Sequence, residues 1–257
     1  MKNNRFITLS LLVMVSTVLS ADVLIFSDNF NTTNTGINDD LATRQSGLIA
    51  QTDWNTGGSV SASVSGNSML VTNPTTSGDA NTWLNYNFAT DTDLLTGGKF
   101  TVSFDMTADD NYTVFFIGGD ISASRPYIDS DTDFLFRPNS TSTSTLKDNG
   151  AATTGLATVG TGSKSYLYTV TTDDFDNGTA WSIDLKINGV DYDLNGGVAG
   201  NTFSGNWDGS SIYIGFTNRN DDLTFDNFAI YAVPEPSSLL LTFGGLSVLM
   251  LGLRRRA

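Results

Sequence analysis

From Lys99 to Met106 the residues alternate without a break. Phe100, Val102, Phe104 and Met106 fall on one side, and Thr101, Ser103 and Asp105 on the other. A period of two buries one face of a strand and wets the other, and a helix has no way to bury that pattern. Ile183, Leu185 and Ile187 alternate in the same way with Asp184, Lys186 and Asn188, as expected where an antiparallel sheet packs on one side only. The same reading predicts strands at Asp22–Ser27, Ser59–Val64, Ser68–Thr72, Thr82–Phe88, Tyr112–Gly118, Asp133–Arg137, Ser165–Thr171, Trp181–Asn188, Val190–Leu194, Ser211–Thr217 and Leu223–Tyr231. Asn188-Gly189 stands between two of these runs. Both residues tolerate the positive φ of a type I′ hairpin turn. Asn31–Thr56 and Asn139–Gly162 hold little to bury and read either as long surface loops or as weak edge strands. Between the two apolar ends of the chain no helical stripe with caps occurs. About a dozen short strands separated by turn residues predict an all-β, two-sheet antiparallel sandwich.

The two ends follow different rules. Met1–Ala21 carries Lys2 and Arg5, an apolar run from Phe6 to about Leu19, and then small residues at Ser20 and Ala21. That is the layout of a secretory signal peptide. At the other end, residues 233–257 run from a Pro234-Glu235-Pro236 knuckle through an uncharged stretch, Ser237–Leu253, to Arg254, Arg255 and Arg256. The stretch is 17 residues long, the short limit for a transmembrane helix crossing a hydrocarbon core of about 30 Å. Arginines after it would stay on the cytoplasmic face and leave everything before it outside.

This tripeptide, apolar span and basic end, in that order, resemble the PEP-CTERM sorting signal of bacterial exported proteins. The resemblance implies export, a membrane-anchored precursor, and processing by the membrane protease-transpeptidase called exosortase. Delivery would be to the cell surface or the extracellular matrix. It implies nothing about what residues 22–232 do.

Removing the two ends sharpens the charge. Glu235 is the only glutamate, so 26 of the 27 acidic residues are aspartates between Asp22 and Asp226. Only eight of the 13 basic residues remain beside them, a balance near −18. Such a field repels phosphate backbones, which bind through Lys and Arg, so nucleic acid is excluded as a partner. Cysteine and histidine are both absent. Their absence removes disulfides, Ser-His-Asp and Cys-His nucleophiles and the ordinary zinc sites. Glycoside hydrolysis needs two flanking carboxylates, and the domain has no glutamate. Asp191 and Asp193 lie beside the hairpin turn, where aspartate is ordinary. The domain is therefore read as non-catalytic.

Phe26-Ser27-Asp28-Asn29-Phe30 near the start is echoed by Phe225-Asp226-Asn227-Phe228 near the end. With the hairpin text Lys186–Leu194 and the closing run Ile212–Tyr231, this resembles the concanavalin-like, carbohydrate-binding jelly-roll superfamily. The resemblance implies that the first and last strands lie side by side, and that a structural calcium near them is held by Asp28 or Asp226. Other oxygen-rich clusters are Asn38-Asp39-Asp40, Asp129/Asp131/Asp133 and Asn220-Asp221-Asp222. Calcium takes six to eight oxygens, and solvated aspartate turns are the plainer reading of all of them. Asp129–Asp133 imitates an EF-hand start but lacks the glycine at its sixth position and the acid at its twelfth.

Tryptophan on a wet sheet face offers a stacking platform to a sugar ring. Trp83 is the leading candidate, since Asn85 and Asn87 share its parity while Leu84, Tyr86 and Phe88 take the apolar side. Trp54 and Trp207 stand in Gly/Asn/Asp-rich text and are further candidates; Trp181 opens an apolar stripe and is assigned to the core. These readings lead to an exported, non-catalytic jelly roll, structural or adhesive in an exopolysaccharide layer. The alternative is a calcium-stabilised, lectin-like module, and a polysaccharide-active enzyme ranks third.

Overall fold

The structure, a computed structural model, describes residues 21–234 apart from 33–34, 58–60, 73–79, 92–93, 95–97, 108–112, 120–131, 149–150, 198–199, 210 and 220–221. The expected signal peptide up to residue 20, and the sorting tail from Glu235 on, lie outside the described residues. Within the described residues no helix is long and apolar enough to cross a membrane.

The strands, in chain order, are β1 (Val23–Asp28), β2 (Thr35–Gly36), β3 (Gln45–Ser46), β4 (Trp54–Gly57), β5 (Ser61–Ser65), β6 (Ser68–Thr72) and β7 (Ala80–Leu84). They continue with β8 (Lys99–Thr107), β9 (Val114–Gly118), β10 (Phe134–Arg137), β11 (Ser144–Asp148), β12 (Ala151–Leu156) and β13 (Ser163–Thr172). The last five are β14 (Ala180–Ile187), β15 (Val190–Tyr192), β16 (Phe203–Asn206), β17 (Tyr213–Asn218) and β18 (Asp222–Ala232). One helical turn, α1 (Leu41–Arg44), precedes β3. One sheet, here called the back sheet, runs β15-β14-β13-β8-β18-β6-β5-β2, with β1 beside β18, β3 beside β1, and β16 beside β14. The other, the front sheet, runs β12-β11-β10-β9-β17-β7-β4. The chain is thus an all-β, two-sheet antiparallel sandwich of the jelly-roll kind.

Alternation explains why these two sheets close on each other. Phe100, Val102, Phe104 and Met106 of β8 are each at most 2% exposed, and they meet the inward residues of the front sheet. Ring centroids are 4.9 Å apart for Phe104–Phe115, 4.4 Å for Phe115–Tyr168 and 4.0 Å for Phe216–Phe225. Burying one such ring is worth about 1.5–3 kcal/mol, and this interlock is what holds the sheets together.

The expected pairing of the terminal strands is present. β1 runs antiparallel to β18, with Asp28 opposite Phe228 and Val23 opposite Ala232. The predicted hairpin is also present: Asn188 has φ 52° and Gly189 φ 77°, and the turn sets Ile187 opposite Val190. Both stretches left open between loop and edge strand contain strands. Asn31–Thr56 supplies β2, β3 and the start of β4, and Asn139–Gly162 supplies β11 and β12. β4 and β12 are the two edges of the front sheet. β16 had no counterpart in the sequence reading, because Phe203-Ser204-Gly205-Asn206 carries a single apolar residue. Its pairing with β14 sets Gly205 opposite Trp181, where a Cβ would come within 2.4 Å of the indole.

Candidate functional site

The front sheet has a second apolar face, turned away from the sandwich core. Val114, Phe116 and Leu135 form a small cluster there, separate from the main core, with Trp83 and Tyr213 packed against it. The register sets one row across the sheet: Asn55 opposite Trp83, Trp83 opposite Gly215, Gly215 opposite Phe116, Phe116 opposite Leu135, and Leu135 opposite Lys147. Directly opposed residues share a face. Asn55, Trp83, Tyr213 and Lys147 are half-buried, whereas Phe116 and Leu135 are buried.

Trp83 owes its posture to glycine. A Cβ added at Gly57 would stand 3.2 Å from Cζ3 and 3.4 Å from Cη2 of the indole, so the six-membered ring lies over the bare backbone of β4. Gly215, opposite Trp83, has no room for a side chain either, since its Cβ would stand 2.4 Å from the carbonyl oxygen of Thr82. The ring thus has no side chain beside it at Gly57 or at Gly215. Around it stand Asn55, Tyr213, and, two residues further along its own chain, the exposed Asn85. The backbone N–H of Asn85 donates to the carbonyl of Asp53 at 2.8 Å. Asn87, which shares the parity, serves the fold instead. Its Oδ1 accepts from the backbone of Ala89 and Ile212, at 3.1 and 2.9 Å.

The other tryptophans are core residues, and this corrects the expectation for two of them. Trp54 is 1% exposed, and its ring packs against Phe26, Phe30, Phe225 and Phe228 at centroid distances of 5.3–6.4 Å. Its Nε1 donates to Asp28 Oδ2 at 3.0 Å. Trp207 is also 1% exposed; Nε1 donates to Thr172 Oγ1 at 3.0 Å, and the ring meets Phe175 and Trp181. Neither presents a face to a ligand. Trp181 is in the core as expected.

Asp28, a candidate calcium ligand, is fully buried and already occupied by protein partners. Its Oδ2 accepts from Gln45 Nε2 at 2.9 Å and from Trp54, and forms an ion pair with Arg44 Nε at 3.2 Å. Its Oδ1 accepts from the backbone of Phe30 at 3.0 Å. A cation at Asp28 would have to displace the guanidinium and break these hydrogen bonds. Asp226 lies at a bulge in β18, opposite Asp105 of β8. Its carboxyl titrates above the ordinary aspartate range because it is partly buried, and because Asp105 and Asp28 are near. Asp105 accepts from Asn227 Nδ2 at 2.8 Å and from Ser165 Oγ. Asp28 and Asp226 are therefore neighbours with different tasks. Among the described residues no group of three or more acidic side chains is placed to hold a metal ion.

The remaining clusters are turn chemistry where the structure describes them. Asp39 Oδ2 accepts from Gly36 N, and Asp40 Oδ2 from Thr32 Oγ1. Asp191 pairs with Lys186 at 2.9 Å, and Asp193 accepts from the backbone of Asn195 and Gly197. Residues 129, 131, 220 and 221 lie outside the described residues. Asp133 differs from the others. It is fully buried and accepts from Asp208 N at 2.8 Å and Gly119 N at 3.3 Å. Burial, with the Asp208 carboxylate adding to it, raises its pKa to about 6. A Cβ on the preceding strand at Gly118, where φ is 136°, would stand 2.4 Å from Asp133 Oδ2, so that glycine is what admits the carboxylate. Asp133 ties the Trp207–Gly209 segment to the end of β9, a structural duty.

The sequence places Trp83 on the outward parity but does not show its surroundings. The alternation of Tyr213 with Ile212 and Ile214 was a usable signal for a wet-face aromatic. Asn55 gave none, because the strand that carries it has a single apolar residue.

The fold and this face define the class of protein: an antiparallel jelly-roll sandwich with aromatic residues on the outer face of one sheet. No protein-family model matches the chain, and no curated protein sequence matches it. Solved structures resemble it at low identity. Peanut lectin is 12% identical, with 82% of this chain and 97% of that one covered, at TM-score 0.46. A protein of unknown function with a galectin-like fold from Bacillus subtilis is 14% identical, with 82% and 100% covered, at TM-score 0.45. A sialidase is 10% identical, at TM-score 0.44; 69% of this chain is covered, and the chain spans 16% of the sialidase's length.

Proposed function

We propose that this is an exported, non-catalytic surface or matrix protein that adheres to polysaccharide through the outer face of its front sheet. The observation that carries the reading is Trp83, laid over Gly57 with Asn55 and Tyr213 beside it. A pyranose presents an apolar C–H face and a rim of hydroxyls. A half-exposed indole matches the first, and side-chain amides match the second. Asp191 and Asp193 belong to the β14–β15 hairpin of the back sheet, where they are held by Lys186 and by turn N–H groups. The reading needs no cofactor.

Export and sorting are part of the same proposal, and they rest on Met1–Ala21 and on Pro234-Glu235-Pro236 with Arg254–Arg256. The partners are then the export machinery, an exosortase-type protease, the membrane before processing, and exopolysaccharide afterwards. The test of adhesion is affinity electrophoresis of the purified protein through gels containing polysaccharides. Retardation by at least one polymer is expected, with apparent affinity reduced at least tenfold by Trp83→Ala, about 1.4 kcal/mol. Retardation equal in the variant would exclude this face.

A further inference from the structure

We infer that the Trp83 face selects uncharged polysaccharide and rejects polyuronates and other polyanionic chains; this rests on the adhesion reading above. The side chains placed around the ring are Asn55, Tyr213 and Asn85, all neutral. Among the described residues the acidic side chain nearest along these strands is Asp53, exposed and two residues before Asn55. It adds negative potential beside the ring. The domain as a whole carries 26 aspartates against eight basic residues.

Among the described residues the outer face of the front sheet carries Arg137 on β10 and Lys147 on β11, and Arg219 follows β17 by one residue; they bear directly on the choice. Lys147 stands in the Trp83 row, but β17, β9 and β10 intervene. Four strand-to-strand steps of about 4.8 Å put it roughly 19 Å from Trp83. That exceeds twice the screening length of about 8 Å at physiological salt. The residues between them in the row, Phe116 and Leu135, are buried, so no open track along that row joins the ring to the cations. Three such steps put Arg137, and four residues along the chain from Gly215 put Arg219, roughly 13–14 Å from Trp83, beyond one screening length. Asp53, two residues from Asn55, is nearer, so among the described residues an acidic chain stacked on Trp83 meets a carboxylate before any cation. A neutral chain meets only the ring and the amides.

The experiment compares polymers on the unaltered protein. Gels contain hydroxyethylcellulose, galactomannan, alginate or hyaluronate, at 20 and 300 mM NaCl. Retardation by a neutral polymer is expected, changing less than twofold between the two salt concentrations, with none by alginate or hyaluronate at 20 mM. Stronger retardation by a polyanion that collapses at 300 mM salt would overturn the selectivity while leaving adhesion intact. Retardation by none of the four polymers would overturn the inference together with the adhesion reading on which it rests.

Discussion

Trp54 and Trp83 sit in neighbouring strands, one residue out of step across the β4–β7 pair, and the fold uses them in opposite ways. Trp54 turns inward, where Phe26, Phe30, Phe225 and Phe228 surround it and Asp28 takes its N–H. Trp83 turns outward onto bare glycine backbone, half-buried beside an apolar cluster too small to enclose it. The residue type is the same and the strand parity is opposite. An aromatic ring becomes a structural element when chain ends from far away close around it, and a platform when glycine leaves it room to lie down.

The largest effect is expected in the inner region. Arg44→Ala leaves the Asp28 carboxylate buried without its ion-pair partner, at a cost of about 3–5 kcal/mol. Urea unfolding would read this directly, and the double variant Asp28→Leu/Arg44→Leu should recover part of the loss. No recovery would mean that Arg44 acts through its contacts with Ile37 and Phe30 rather than through charge.

The two tryptophans then separate by readout. Trp54→Ala should cost about 3–5 kcal/mol of stability, as large-to-small changes in a packed core do. Trp83→Ala should cost about 1 kcal/mol or less, within the range of surface changes, while weakening polysaccharide retardation. Equal losses of stability in the two variants would erase the distinction between the regions.

A smaller effect follows from Asp133. Its pKa in the folded protein is raised to about 6 from an ordinary value of 3.8. Between those limits the folded state binds more protons than the unfolded one, so stability falls as pH rises through this window. This contribution is fully present below about 4 and lost above about 6; two pH units correspond to at most roughly 3 kcal/mol. Asp148 and Asp226, also raised by burial, add with the same sign. The melting temperature should therefore be higher at pH 5 than at pH 7.5, and Asp133→Asn should flatten the difference. A melting temperature that climbs steadily from pH 5 to 7.5 would contradict the assignment.

The alternation in Lys99–Met106 and Ala180–Ile187 was legible in the sequence because each strand's own side chains declare which face is buried. The same holds for the Asn188-Gly189 turn and for the parity of Trp83. Strands β11, β12 and β16 were less legible, because each carries a single large apolar residue (Leu146, Leu156 and Phe203) and its neighbour supplies the ladder. Trp54 and Asp28 were misplaced for a different reason: the residues that enclose them come from positions 26–30, 44–45 and 225–228.

The sequence by itself determined an all-β sandwich, a strongly acidic domain without cysteine or histidine chemistry, and the inward or outward parity of its regular strands. These depend on period and composition, which are local. Only the tertiary structure decided that Asp28 is an internal counter-ion, that Trp54 and Trp207 are core, and that Gly57 lies under Trp83. Each of those depends on residues brought together from separate strands, and burial and pairing are set by neighbours in space.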